Sequence, residues 1–190
     1  MNEKKLIRQC KKGKSSAQHE VYRVYAPRLR GVCRRYIVDP DEAEDVMQEG
    51  FIRIFSQIEK FTWQGDHTFF YWMKRVMINH ALNYLKKNRA HFHGEALSEE
   101  HADRSGDDND RFFDDNYSRF SKEDVVNALT EVPLPFKMVL NMAVIDGMKH
   151  KEIAEALEIA EETSRSRLTR AKQLLKKALL CRAGTVVRNA

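Results

Sequence analysis

Two stretches of this 190-residue chain hold side chains whose types and spacing could do chemistry. One is a run of imidazoles and carboxylates, His91, His93, His101, Asp103, Asp107, Asp108, Asp110, Asp114 and Asp115, a composition suited to hard cations and metal-bound water. Its spacing is unsuited to either. With Asp107 as first ligand of a calcium loop, Arg111 falls fifth, Phe112 stands where glycine makes the sharp turn, and Ser118 stands where a bidentate Glu closes the shell. His150 and Glu152 lack the second His of a zinc-protease helix. The expectation is therefore no catalytic residue, no metal, no cofactor and no small-molecule substrate. The second stretch is different in kind. Arg165, Ser166, Thr169 and Arg170 recur at i, i+1, i+4 and i+5, one side of a helix. No acidic residue follows Glu162, while eight Lys and Arg do. Guanidinium forks and hydroxyls of this kind bind phosphates and the acceptor edge of guanine.

Such a face needs a helix held at a fixed angle, and the preceding residues can supply one. Ile153, Ala154 and Leu157 make an inward stripe on a helix expected over 149–157. Ile159 can plug the connection, and Leu168, Ala171 and Leu175 give the second helix its buried side. Two short helices with the cations gathered on the second describe a helix-turn-helix directed at DNA.

A second set of candidates lies nearer the N-terminus. Asp39 can cap a helix with Pro40 in its first turn and Glu42 at the capping-box position, and the helix is expected to run to about Glu59. Val46, Phe51, Ile54, Phe55 and Ile58 form its inward stripe, leaving Asp41, Glu44, Asp45, Gln48 and Glu49 on the other side. A loop follows, with turn residues at its centre and Trp63 among polar neighbours. An aromatic-rich helix then opens with Phe69, Phe70, Tyr71 and Trp72. Along it Asn79 and Asn83, four apart, share a face and can present amides to unpaired bases. Lys74, Arg75, Lys86, Lys87 and Arg89 add cations along the same stretch.

Charge divides the chain into different materials. Residues 1–90 carry +8, residues 91–123 carry −6 and residues 124–190 carry +3. The acidic middle has few aliphatics, so it cannot bury enough apolar surface to offset its ordering entropy and reads as a linker. Cys10, Cys33 and Cys181 are odd in number and widely spaced, which indicates neither a disulfide framework nor a zinc site and points to the cytoplasm. No apolar run has signal-peptide or membrane-spanning length, so a chain not embedded in the membrane is expected.

Leu134-Pro135-Phe136-Lys137-Met138-Val139-Leu140, read with the run from Glu152 to Lys172, resembles region 4 of a bacterial sigma factor. The block Asp41 to Phe51, followed by Phe69 to Tyr84, resembles sigma region 2. Together, in this order, they resemble the extracytoplasmic-function (ECF) group of the sigma-70 family. The resemblance implies an all-α fold of two small helical domains joined by a flexible acidic linker: 1–90 as region 2, 91–121 as linker, 122–182 as region 4 and 183–190 as a basic tail. It implies a non-enzymatic subunit that joins core RNA polymerase and directs initiation at promoter DNA, commonly restrained by an anti-sigma factor. Asp41, Glu44, Asp45, Gln48 and Glu49 would face the polymerase. Trp63, Asn79, Asn83, Lys86 and Lys87 would serve the minus-10 element, with the Trp63 loop holding a flipped base. Arg165, Ser166, Thr169 and Arg170 would read the minus-35 element. A free-standing helix-turn-helix regulator would leave the region 2 block without a purpose.

The chain departs from the family pattern at Lys149, Glu158 and Ala160, where a cap, a glycine and a second cap are usual, and at Ser164, usually aliphatic. Each lost cap costs about 1 kcal/mol, so the C-terminal domain is expected to be weakly stable by itself.

Overall fold

The computed structural model describes residues 2–88 and 120–188, with side chains up to Arg182. The linker expected over 91–121, with its three histidines and its aspartates, lies almost wholly outside the described residues, as does Arg89. The chain divides into two compact units, Met1–Ala90 and His91–Ala190. Among the described residues every regular element is helical.

The first unit contains α1 (Glu3–Lys11), α2 (Ser15–Tyr36), α3 (Pro40–Gln57) and α4 (Thr68–Asn88). Asn2 starts α1, its side-chain oxygen accepting from the Lys4 N–H at 2.9 Å. Leu6, Ile7 and Cys10 then bury one face. Gly13, at φ +69°, makes the turn into α2, a left-handed conformation open to glycine without penalty. Asp39 caps α3 by accepting from the N–H groups of Asp41 and Glu42, both at 2.9 Å, and Pro40 occupies the first turn. The α-helix stops at Gln57, slightly short of expectation, and tightens into a 3₁₀ turn over Ile58–Lys60.

Helices α2, α3 and α4 pack against one another, and α1 lies on α2 and the 3₁₀ turn. Of the expected α3 stripe, Val46, Phe51, Ile54 and Ile58 are buried and Phe55 is half-buried. Ala43, Met47 and Gly50 are buried as well. Gly50 permits a close α3–α4 crossing, since a Cβ there would stand 2.3 Å from the Met77 sulfur. An aromatic cluster fills one end. Phe61 lies 5.2 Å from Phe69 and 5.3 Å from Trp72 between ring centroids, Tyr25 meets Phe69 edge-on at 5.9 Å, and the Arg28 guanidinium sits 3.6 Å over Phe70.

The second unit contains α5 (Lys122–Glu131), α6 (Leu134–Leu140), a π turn (Asn141–Ile145), α7 (His150–Leu157) and α8 (Glu161–Arg188). A reciprocal capping box starts α5: Ser121 Oγ accepts from the Asp124 N–H and the Asp124 carboxylate from the Ser121 N–H, at 3.1 and 2.9 Å. The α5, α6 and α8 helices share a core of Ala128, Val132, Leu140, Ala171, Leu175, Ala178 and Leu179, with Leu168 partly buried against it. Arg182 donates from Nε and Nη2 to one Glu131 oxygen at 3.0 and 2.5 Å, tying α8 to the end of α5.

Candidate nucleic-acid interface

The helix-turn-helix forms where periodicity placed it. Ile153, Ala154 and Leu157 are buried, and Ile159 is half-buried in the connection. Lys149 offers no acceptor to cap α7. Half a capping box remains, because the Glu152 carboxylate accepts from the Lys149 N–H at 3.0 Å. The turn itself is strained: Glu158 ends α7 at φ +57°, ψ +44°, a left-handed geometry that costs a residue with a Cβ about 1–2 kcal/mol. Ala160 lends α8 no side-chain cap, but Glu161 and Glu162 place carboxylates in its first turn, where they suit the positive end of the helix dipole.

Ser164 is fully buried, and its Oγ lies 2.9 Å from Nδ1 of His150 at the start of α7. A polar bond therefore replaces the expected aliphatic contact between the two helices. Burial first, and then the Arg165 charge, hold the His150 pKa below its ordinary value, with Glu161 opposing. The imidazole is thus kept neutral at physiological pH, with one ring nitrogen protonated and one free to accept.

Next to Ser164 the outward face of α8 holds Arg165, Ser166 and Arg170 exposed and Thr169 half-buried. Arg165 pairs with Glu161 at 2.5 Å, and Arg170 donates to the Gln173 amide oxygen at 3.3 Å. Ser166 and Thr169 donate back to the carbonyls of Thr163 and Arg165. Each hydroxyl keeps its lone pairs, and neither guanidinium is buried, so all four can turn to a ligand.

In the first unit Asn79 and Asn83 are exposed one turn apart on α4, with Lys87 exposed and Lys86 half-buried in the next turn. Arg75, Asn79, Asn83 and Lys86 recur at four- and three-residue intervals, a single stripe. Tyr71 extends that stripe toward the helix start. It is 61 % exposed, with the Lys74 ammonium 5.5 Å from its ring centre. Sequence alone did not single it out, since four consecutive aromatics sweep the whole helix circumference. Trp63 is half-buried in the loop between the 3₁₀ turn and α4.

On α3, Asp41, Asp45, Gln48 and Glu49 are exposed and Glu44 is half-buried. Glu44 is paired with Arg30 at 2.8 Å, and Glu49 lies 3.2 Å from Nε2 of the buried His80. Ile52, 69 % exposed, falls on the same stripe. Among the described residues no group of His, Cys, Asp and Glu is arranged to hold a metal, and no helix is long and apolar enough to cross a membrane.

The spans that contain these helices match known sequence families. Sigma-70 region 2 matches residues 21–91 and Sigma-70, region 4 matches residues 122–175. The chain is 25 % identical over 182 residues to the RNA polymerase sigma-H factor of Pseudomonas aeruginosa, covering 93 % of each chain. It is also 25 % identical over 180 residues to the ECF RNA polymerase sigma-E factor of Haemophilus influenzae, covering 92 % of this chain and 94 % of that one. Two solved structures share the fold. The sigma factor RpoE in complex with the anti-sigma factor NepR from Bartonella quintana aligns with TM-score 0.53 and 16 % identity over 85 % of this chain and 95 % of that one. CnrH in complex with the cytosolic domain of CnrY aligns with TM-score 0.52 and 19 % identity over 93 % and 96 %. The chain belongs to the sigma-70 family. It is not an enzyme but a promoter-specific initiation factor for RNA polymerase. Within the family it falls in the ECF group.

Proposed function

We propose a division of labour in which residues 1–90 attach to core RNA polymerase and capture the minus-10 strand, residues 122–182 dock on the minus-35 duplex, and residues 91–121 join them. The exposed carboxylates of α3, Asp41, Asp45 and Glu49, with Gln48 among them and Glu44 at the margin, meet a basic polymerase surface, where unlike charges speed and orient association. The Trp63 loop receives a base flipped from the non-template strand. Unstacking costs a few kcal/mol, offset by stacking and edge hydrogen bonds. Asn79 and Asn83 contact neighbouring unpaired bases while Lys86 and Lys87 neutralise phosphates. Arg165, Ser166, Thr169 and Arg170 enter the minus-35 major groove. The protein works in the cytoplasm and is held in check by an anti-sigma protein, a reading supported by its structural likeness to a sigma factor captured with one.

The observation carrying this reading is that an acidic face and an amide-rich face share one unit, while the guanidinium face belongs to another. A free-standing repressor has no use for the first two. Run-off transcription with core polymerase on a randomised promoter pool tests it. Transcripts should start downstream of an enriched pair of elements, and promoter affinity should rise steeply on adding polymerase. Asp45→Arg should weaken core binding about tenfold through charge reversal at the interface. Tight promoter binding by the chain alone, with no capture of polymerase, would overturn the assignment.

A further inference from the structure

Lys11, the last residue of α1, reaches 50 residues along the sequence. Its half-buried ammonium donates to the Phe61 carbonyl at 2.7 Å and to the Glu59 carbonyl at 3.2 Å. Both oxygens lie where the 3₁₀ turn after α3 runs out and the helical ladder no longer supplies donors. On its other side Phe61 is gripped by its ring, buried against Phe69 and Trp72. The entry to the Trp63 loop is therefore fixed through both its carbonyl and its side chain.

The exit is closed as well. Thr68 Oγ1 donates to the Gly65 carbonyl at 2.7 Å, across a turn in which Gly65 and His67 stand at φ +129° and +66°. Between the two closures lie Thr62, Trp63 and Gln64. The arm bearing Lys11 is itself anchored, since Leu6, Ile7 and Cys10 are buried and the Tyr25 hydroxyl donates to the Glu3 carboxylate. That arm lies outside residues 21–91, the span matching region 2.

A loop already held in its binding shape avoids the ordering cost that a loose one would meet on capture. We propose that Lys11 is a positioning residue for promoter melting: it holds the Phe61–His67 loop in the shape that receives the flipped base. This rests on the base-capture reading of Trp63 given above. The Lys11 ammonium is committed to loop carbonyls and takes no part in the α3 face, so its loss should impair strand capture and spare polymerase attachment.

The test uses the full chain with core polymerase and a promoter carrying 2-aminopurine in the minus-10 non-template strand, with Lys11→Met, Lys11→Arg and Trp63→Ala compared with wild type. Lys11→Met should lower the open-complex yield about tenfold, the size of effect expected for losing one charge-assisted hydrogen bond. Its Kd for core polymerase should stay within about twofold, a difference too small to signal a lost contact. Lys11→Arg, which keeps the cationic donor, should recover most of the loss. Normal opening by Lys11→Met beside defective Trp63→Ala overturns the role of Lys11 and leaves base capture standing. Normal opening by Trp63→Ala removes base capture, and this inference with it. A Lys11→Met chain that loses polymerase binding in proportion to opening shows a general structural role and overturns the proposal.

Discussion

The two units are built from different stock. Among the described residues every buried aromatic ring belongs to the first unit: Tyr25, Tyr36, Phe51, Phe61, Phe69 and Phe70. The second unit buries aliphatic side chains and methionines, Met138, Met142, Ile153 and Leu179 among them, beside Ala128, Ala171, Ala178 and the polar Ser164. Large apolar side chains contribute about 1.5–3 kcal/mol each on burial, so the first unit rests on many redundant contacts. The second has a smaller aliphatic core supplemented by a few polar pins: the Ser164–His150 bond, the Glu152 half-cap and the Arg182–Glu131 pair. A unit with a smaller core opens locally at lower cost.

The contrast can be broken from its stronger side first. Phe69→Ala removes a ring touching Tyr25, Phe61 and Trp72 and should destabilise the first unit by about 3–5 kcal/mol. Hydrogen exchange should then quicken throughout α1–α4 and leave α5–α8 unchanged. Next in size, Arg165→Ala or Arg170→Ala should each cost about 1–3 kcal/mol of promoter discrimination, read as lost dependence on the minus-35 sequence in run-off transcription. Ser164→Ala strips His150 of its buried partner and should cost about 1–3 kcal/mol. Chemical denaturation should show that loss in the second unit alone.

Smaller effects sharpen the comparison. Glu158→Gly relieves the left-handed turn and should stabilise the second unit by about 1 kcal/mol, raising its Tm by about 4–8 °C; an unchanged or lower Tm would show that the left-handed turn at Glu158 costs the unit nothing. The gentlest perturbation is pH. Burial, then the Arg53 charge, hold the pKa of His80 below its ordinary value of 6.5, Glu49 opposing. The unfolded chain thus binds this proton more readily than the folded one, so the site's contribution is full above the ordinary value and drains as pH falls below it. Melting of the first unit should weaken between about pH 7.5 and about pH 5.5, and His80→Gln should flatten that slope.

What the sequence disclosed follows from range. The start of α3 is written in Asp39 and Pro40, neighbours of the helix they begin, and α7 and α8 are written in Ile153, Leu157, Ala171 and Leu175 at helical spacing. The exposed faces on α3, α4 and α8 were legible for the same reason, since polar residues three and four apart declare a side without knowledge of the core. Helix α2 is less open to such reading, because Pro27 lies inside it and locally signals a break. The long-range pins were invisible. Nothing in the run Lys11-Lys12-Gly13-Lys14 marks Lys11 as the one that meets Phe61, and nothing in His150 foretells Ser164. Gly50 beside Met77 is another such case, an absence of side chain that has meaning only once α4 is laid against α3.

Helix α8 is unbroken over 28 residues, a rod of about 42 Å at 1.5 Å per residue. Its first turns carry Arg165 and Arg170, and three turns further on Arg182 is strapped to Glu131. A stiff lever transmits tilt along its whole length, so whatever grasps its far end will steer the guanidinium groups at the near one without touching them.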